Sequence, residues 1–235
     1  MVQFNNQTRL NNFIKGILIV AIYFIVSFYK NAPLVLLHID YNTLSTLYKE
    51  IYSISIEIIL LGIIFYTFKD QYKKAFEDLK KNHWKYFSSN FKYYLLGLFL
   101  MMSANILINL LGGGMSGNEE SIRNQFQIAP IFTYISAVFL APVLEESIFR
   151  LSFRNMIENK YIFIIISGLV FGGLHLISGI DSLSLLPLYL VAYCSFGFIF
   201  AYMFVKTNNI FVSMGFHLMH NGILMSLQFL LFLLS

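Results

Sequence analysis

Apolar positions divide this chain into seven long runs, close to residues 13–29, 51–68, 93–111, 130–153, 161–177, 184–205 and 210–234. A membrane-crossing helix needs roughly 20 mostly apolar residues, so runs of this length predict an all-α, polytopic transmembrane bundle of about seven spans. The first run is longer than a signal-peptide core, and no small-x-small cleavage pattern follows it before Pro33, so it is expected to be retained as a span. Two polar stretches interrupt the runs. In residues 69–92, Tyr72, Phe76, Leu79, His83, Phe87 and Phe91 recur at helical spacing with lysines between them. That pattern predicts a basic amphipathic helix, either lying on the cytoplasmic leaflet or extending the third span. The second stretch, 112–129, opens on Gly112, Gly113 and Gly114 and reads as a flexible outer loop. The expected organisation is a single membrane domain. Residues 1–92 supply the first spans and a basic cytoplasmic connector, and residues 93–235 supply a core.

Charge placement gives this division a direction. With the N-terminus inside, Arg9, Lys15, the seven lysines from Lys69 to Lys92, Arg150, Arg154, Lys160 and Lys206 fall on the inner side, and only Lys30, Lys49 and Arg123 fall outside. Basic residues concentrate in cytoplasmic loops of membrane proteins, so the N-terminus is expected in the cytoplasm and the C-terminus outside. Composition agrees with a multi-pass membrane protein. The chain is 57% apolar and only 12% charged, against about 25% charged in soluble domains. Its net charge of +4 sits in membrane-flanking lysines rather than on a basic surface interleaved with aromatics, so no nucleic acid is expected as a partner. Cys194 is the single cysteine, which excludes an internal disulfide and a Cys-rich metal site. Abundant Ile, Lys and Asn suit an AT-rich bacterium, and the bacterial cytoplasmic membrane is the expected location.

An ionisable side chain in the bilayer core costs several kcal/mol, so each one needs a physical reason. Glu57 stands alone in the second run and reads as a structural hydrogen-bonding group. The C-terminal half is different, with Glu145, Glu146 and Arg150 in the fourth run, His175 in the fifth, and His217, His220 and Asn221 in the seventh. Counting at about 1.5 Å per residue from the turns near Lys160 and Asn208 brings these groups to one depth. Glu146 and Arg150 form an i, i+4 pair with the acid first, the favoured order. Glu145 is turned about 100° from Glu146 and is expected to face His175. His217 and Asn221 share a face and offer donors for an oxyanion, and His220 lies near them. A base, a second proton carrier and oxyanion donors meet the needs of peptide hydrolysis. No buried serine or cysteine has an evident activating partner, so water is the expected nucleophile.

The three motifs Glu145-Glu146-Ser-Ile-Phe-Arg150, Phe171-Gly-Gly-Leu-His175 and His217-Leu-Met-His-Asn221, in that order, resemble those of the CPBP intramembrane proteases. That group covers CAAX-processing, bacteriocin-processing and Abi-like proteins, and Pro142 before the first motif is similar to its usual lead-in. The resemblance spans residues 130–221 and implies a helical membrane protease whose Glu145 and His175 activate water. It also implies an oxyanion site at His217 and Asn221, with Glu146, Arg150 and His220 in support. Its implied substrate is a membrane-associated protein or peptide, in peptide maturation, self-immunity or envelope regulation, with lipid around the site and a membrane protein as a further possible partner. No cofactor is required by these roles. The alternative is zinc on Glu145, His175 and His217, a two-His, one-carboxylate set. A non-catalytic immunity or scaffold protein of the same fold is the second reading.

Overall fold

In the computed structural model, which describes residues 6–234, every long element is a helix. Helix α1 (Asn6–Tyr29) is followed by a short α2 (Ala32–Leu36), and then by α3 (Thr46–Thr67). Ser45 starts α3 by accepting a hydrogen bond from the backbone N–H of Tyr48, which satisfies one of the free donors at a helix start. Phe68, only 1% exposed, is the single joint between α3 and the 42-residue α4 (Lys69–Leu110). An outer helix α5 (Gly117–Ile128), capped by Ser116, leads into the motif-bearing α6 (Pro130–Met156). The bundle is completed by α7 (Lys160–Leu174), α8 (Leu186–Thr207) and α9 (Ile210–Leu234).

The all-α polytopic expectation holds, with one difference in the span count. Among the described residues six helices are long and apolar enough to cross a membrane, namely α1, α3, α4, α6, α8 and α9. The fifth run forms a helix of only 15 residues, about 22 Å long, against a hydrocarbon core of about 30 Å. It stops at Leu174 because Gly172 and Gly173 hold a helix weakly. The chain then turns through Leu176 and Gly179, the latter at φ +113°, where a side chain would be strained.

Of the two placements expected for the basic connector, the structure has the extension of the third span. It is continuous with the third span, so the division expected between residues 92 and 93 falls inside α4. Part of its apolar face packs against the bundle: Tyr72 lies on Phe65 and Phe211, and Phe87 lies on Phe216, while Phe91 stays exposed. Between them, Asp78 accepts a hydrogen bond from Asn209, which follows the left-handed Asn208 at the turn from α8 to α9. The lysines and Trp84 remain exposed on the opposite side. The first helices belong to the same core, since Ile19, Leu60, Leu61, Ile64, Phe68 and Tyr72 pack in one cluster with Leu144, Ile148 and Phe149 of α6.

Small residues set how closely α7 and α8 approach. A Cβ on Gly197 would lie 2.6 Å from the Gly168 carbonyl oxygen, and one on Gly172 would lie 2.7 Å from the Cys194 backbone. Membrane helices gain association from such backbone contact, because lipid offers no hydrophobic drive between helices. Gly197→Val should therefore force α7 and α8 apart and lower stability by about 1–3 kcal/mol, read as a lower unfolding midpoint in detergent. Gly62→Val, where a Cβ meets nothing, should leave the midpoint near the parent value.

Candidate active site

The side chains of interest are aimed by an irregular helix. Within α6, Ser136–Leu140 and Ser147–Ser152 are π-helical turns that flank the α-helical Ala141–Glu146. Each π-turn inserts a residue relative to α-helix and rotates the residues beyond it by about 100°. Glu145 and Glu146 are thus presented from a short α-helical step between two bulges.

Glu146 is fully buried, and three helices meet on it. Its Oε2 lies 3.3 Å from Nε of the equally buried Arg150, while its Oε1 lies 3.2 Å from Nδ1 of His217 on α9. Arg150 is anchored in turn on α7. Its Nη1 donates to Ser167 Oγ at 2.7 Å, and its guanidinium sits 4.8 Å from the Phe171 ring centroid. Ser167 then donates to the Phe149 carbonyl at 2.7 Å, closing the link between α6 and α7.

Glu145 is less enclosed, with 21% of its side chain exposed, and its Oε2 stands 3.6 Å from His217 Nε2. One imidazole is therefore held between two glutamates. A carboxylate only accepts hydrogen bonds, so the Glu146 contact places a proton on Nδ1 of His217. Nε2 is left facing Glu145. At 3.6 Å the two atoms lie beyond a direct hydrogen bond, close enough that a water beside them would contact both.

The other predicted residues are distributed around this centre. His175 stands at the unwound end of α7, where its Nδ1 is 2.8 Å from the Phe171 carbonyl oxygen and its ring stacks on Tyr193. The pairing of Glu145 with His175 expected from helix counting is not among the contacts of the described residues, and the carboxylate meets His217 instead. The counting assumed uninterrupted α-helix, which the π-turns and the early end of α7 break. Asn221 donates its Nδ2 to the Ala137 carbonyl at 2.8 Å, so one of its two amide hydrogens is already used. His220 is buried against Phe196 and Tyr94, with ring centroids 4.2 and 6.1 Å away, on the face of α9 toward α4 and α8.

Among the described residues no three His, Cys, Asp or Glu side chains are grouped closely enough to hold a metal ion. Glu145, His175 and His217, the set named for zinc, are not assembled as ligands in this conformation. Two open hollows of about 300 and 320 Å³ lie beside α5 and the start of α6, and neither is lined by a predicted site residue.

Sequence reasoning missed one contributor and anticipated another. Tyr72 of the basic connector reaches Ser147 Oγ at 2.5 Å, next to Glu146. Glu57, expected to be a structural hydrogen-bonding group, accepts from Ser136 at 3.0 and 2.9 Å. Charge in an apolar run was the available signal for Glu57. Tyr72 showed only as one member of an apolar stripe.

Removing one partner of a buried ion pair leaves the other charge uncompensated, at a cost of about 3–5 kcal/mol. Arg150→Met should lose stability on that scale, and the double variant Arg150→Met/Glu146→Gln should recover part of it. Unfolding of the purified proteins in detergent, read as a double-mutant cycle, checks both values.

Comparison with known proteins gives one family match and two relatives. Residues 127–223, which hold all three motifs, match the family described as type II CAAX prenyl endopeptidase Rce1-like. The chain is 33% identical over 118 residues to an "Uncharacterized protein" of Mycoplasma capricolum subsp. capricolum, covering 47% of this chain and 33% of that one. It is also 31% identical over 119 residues to the "Putative membrane peptidase YdiL" of Bacillus subtilis, covering 49% of this chain and 45% of the relative. The chain thus spans less than half the length of either relative. No solved structure matches it significantly. The segment from 127 to 223, with its Glu-Glu-x-x-x-Arg, Phe-x-x-x-His and His-x-x-x-Asn motifs, is similar to the Rce1-like family.

Proposed function

We propose that this chain is an intramembrane endopeptidase that uses a water activated by glutamate and histidine to cut a membrane-associated protein or peptide. The observation that carries the reading is His217 held between two carboxylates, with Nδ1 on Glu146 and Nε2 facing Glu145. Glu146, neutralised by Arg150, orients the imidazole much as a buried carboxylate orients the histidine of a hydrolytic triad. The lone pair of Nε2 and the Glu145 carboxylate then compete for a single proton.

That shared proton position suits a general base that later becomes a general acid. Water at the Glu145–His217 gap gives up a proton to the pair as its oxygen bonds to the peptide carbonyl carbon. The same proton passes to the amide nitrogen as the C–N bond breaks, leaving a carboxylic acid and an amine. Donors for the tetrahedral oxygen come from the second amide hydrogen of Asn221. His175, whose Nδ1–H is committed to the Phe171 carbonyl, keeps Nε2 as a second acceptor for water. These roles draw on side chains of the chain alone. The apolar surface of the bundle supports a site within a membrane, with lipid around the substrate.

Glu145→Gln keeps the shape of the side chain and removes its capacity to take a proton. Comparison of membrane peptides from cells carrying the wild-type or Glu145→Gln protein should show at least one product that falls by about 10²-fold or more, at equal protein level. A biological phenotype that persists in Glu145→Gln with no product lost would mean the chain acts by binding, as an immunity or scaffold protein would.

A further inference from the structure

The first π-turn of α6 decides which glutamate occupies which position, and it is held from two sides. From α3, Glu57 takes the Ser136 hydroxyl on both carboxylate oxygens, at 3.0 and 2.9 Å. From α9, Asn221 donates to the carbonyl of Ala137, the next residue in the turn, at 2.8 Å. A π-turn is rarer and less favourable than α-helix and persists where its surroundings supply partners. In apolar surroundings a hydroxyl-to-carboxylate bond is stronger than in water, and no solvent replaces it if it is removed.

The consequence for the site comes from helix geometry. Because the turn accommodates one extra residue, each later residue of Ala141–Glu146 points where its predecessor would point in a regular helix. If the turn relaxed to α-helix, Glu145 would rotate by about 100° toward the direction Glu146 now holds. Leu144, 6% exposed and packed in the core, would take the direction of Glu145. His217 on α9 would then meet Glu145 at Nδ1 and an isobutyl group at Nε2, while Arg150, which lies beyond the turn and rotates with Glu146, would swing away from Ser167.

We infer that Glu57, outside the family-matched segment, is a positioning residue that clamps Ser136 and thereby keeps Glu145, rather than Leu144, opposite His217. The inference rests on the peptidase reading for its catalytic consequence, but the conformational part stands apart from it. Glu57 also lies within electrostatic reach of Glu145, Lys30 and Glu50, so a direct charge effect must be separated from the clamp.

The test uses the full chain with Leu144→Cys in a Cys194→Ser background, labelled in membranes by a small maleimide, together with yield of the product that Glu145→Gln abolishes. Yield is scored in the same proteins without the cysteine changes. Glu57→Ala and Ser136→Ala should each open position 144 to labelling and reduce product at least 10-fold. The two combined should be no worse than either alone, because they remove the same bond. Ser136→Thr, which keeps the hydroxyl, and Glu57→Gln, which keeps an acceptor without charge, should retain product and leave position 144 shielded. Product loss in Glu57→Ala with position 144 still shielded would overturn the clamp, and so would wild-type product in that variant. Loss in Glu57→Gln equal to that in Glu57→Ala, with position 144 shielded in both, would assign the effect to charge instead. If no product distinguishes wild type from Glu145→Gln, the peptidase reading falls, while labelling still decides whether Glu57 holds the turn.

Discussion

The rest of the structure is arranged around a fully buried carboxylate, Glu146. A charge without water must be paired and hydrogen-bonded or it destabilises the fold, and no single helix supplies all the partners. Arg150 comes from the next turn of α6, and His217 comes from α9. Ser167, which fixes Arg150, comes from α7. Satisfying this one group therefore draws three helices to one level of the bundle. The same contacts orient the His217 ring so that its second nitrogen addresses Glu145. Stability and chemistry share a constraint here, since the groups that offset the burial of Glu146 also present the pair proposed to hold the proton.

Most of the architecture was legible because it follows from hydropathy. All seven apolar runs became helices, and of the charged and imidazole groups that stood out in them Glu145, Glu146, Arg150 and His217 lie together. What escaped was local helix geometry. A run of apolar residues reads the same whether it ends at Leu174 or three residues later, and only the Gly172-Gly173 pair hinted at an early end. Helix counting assigns about 100° to every residue, so it has no means of finding the π-turns at 136–140 and 147–152. Helix counting pointed Glu145 toward His175, and the bulged helix brings that acid to 3.6 Å from His217. The buried Glu146–Arg150 pair was legible because both members lie within one turn. The Asn221–Ala137 and Glu57–Ser136 contacts join residues with no shared motif and could not be read from spacing.

The N-terminal helices carry no family motif, yet they are part of the site's frame. Helix α4 is about 63 Å long at 1.5 Å per residue, twice what a bilayer core accepts, so its lysine-bearing half must leave the hydrocarbon region. That half remains useful to the fold because one face of it is apolar. Tyr72 packs on Phe211, with its hydroxyl on Ser147, beside Glu146, and Asp78 ties the turn between α8 and α9. A chain that placed polar groups in the membrane without such neighbours would leave α6 free to adopt the lower-energy regular helix.

This explains why two irregular turns can bracket the paired glutamates at all. Bulges sit where partner groups outnumber what a regular helix would satisfy: Glu57 and Asn221 at the first, and Tyr72 at the second through Ser147. Two of these three partners come from residues 1–92. The three motifs lie within 127–223, but the turns that flank Glu145 and Glu146 are also held by residues of helices before them. A segment holding only the motif helices would keep the residues and the Asn221–Ala137 contact, and lose Glu57 and Tyr72.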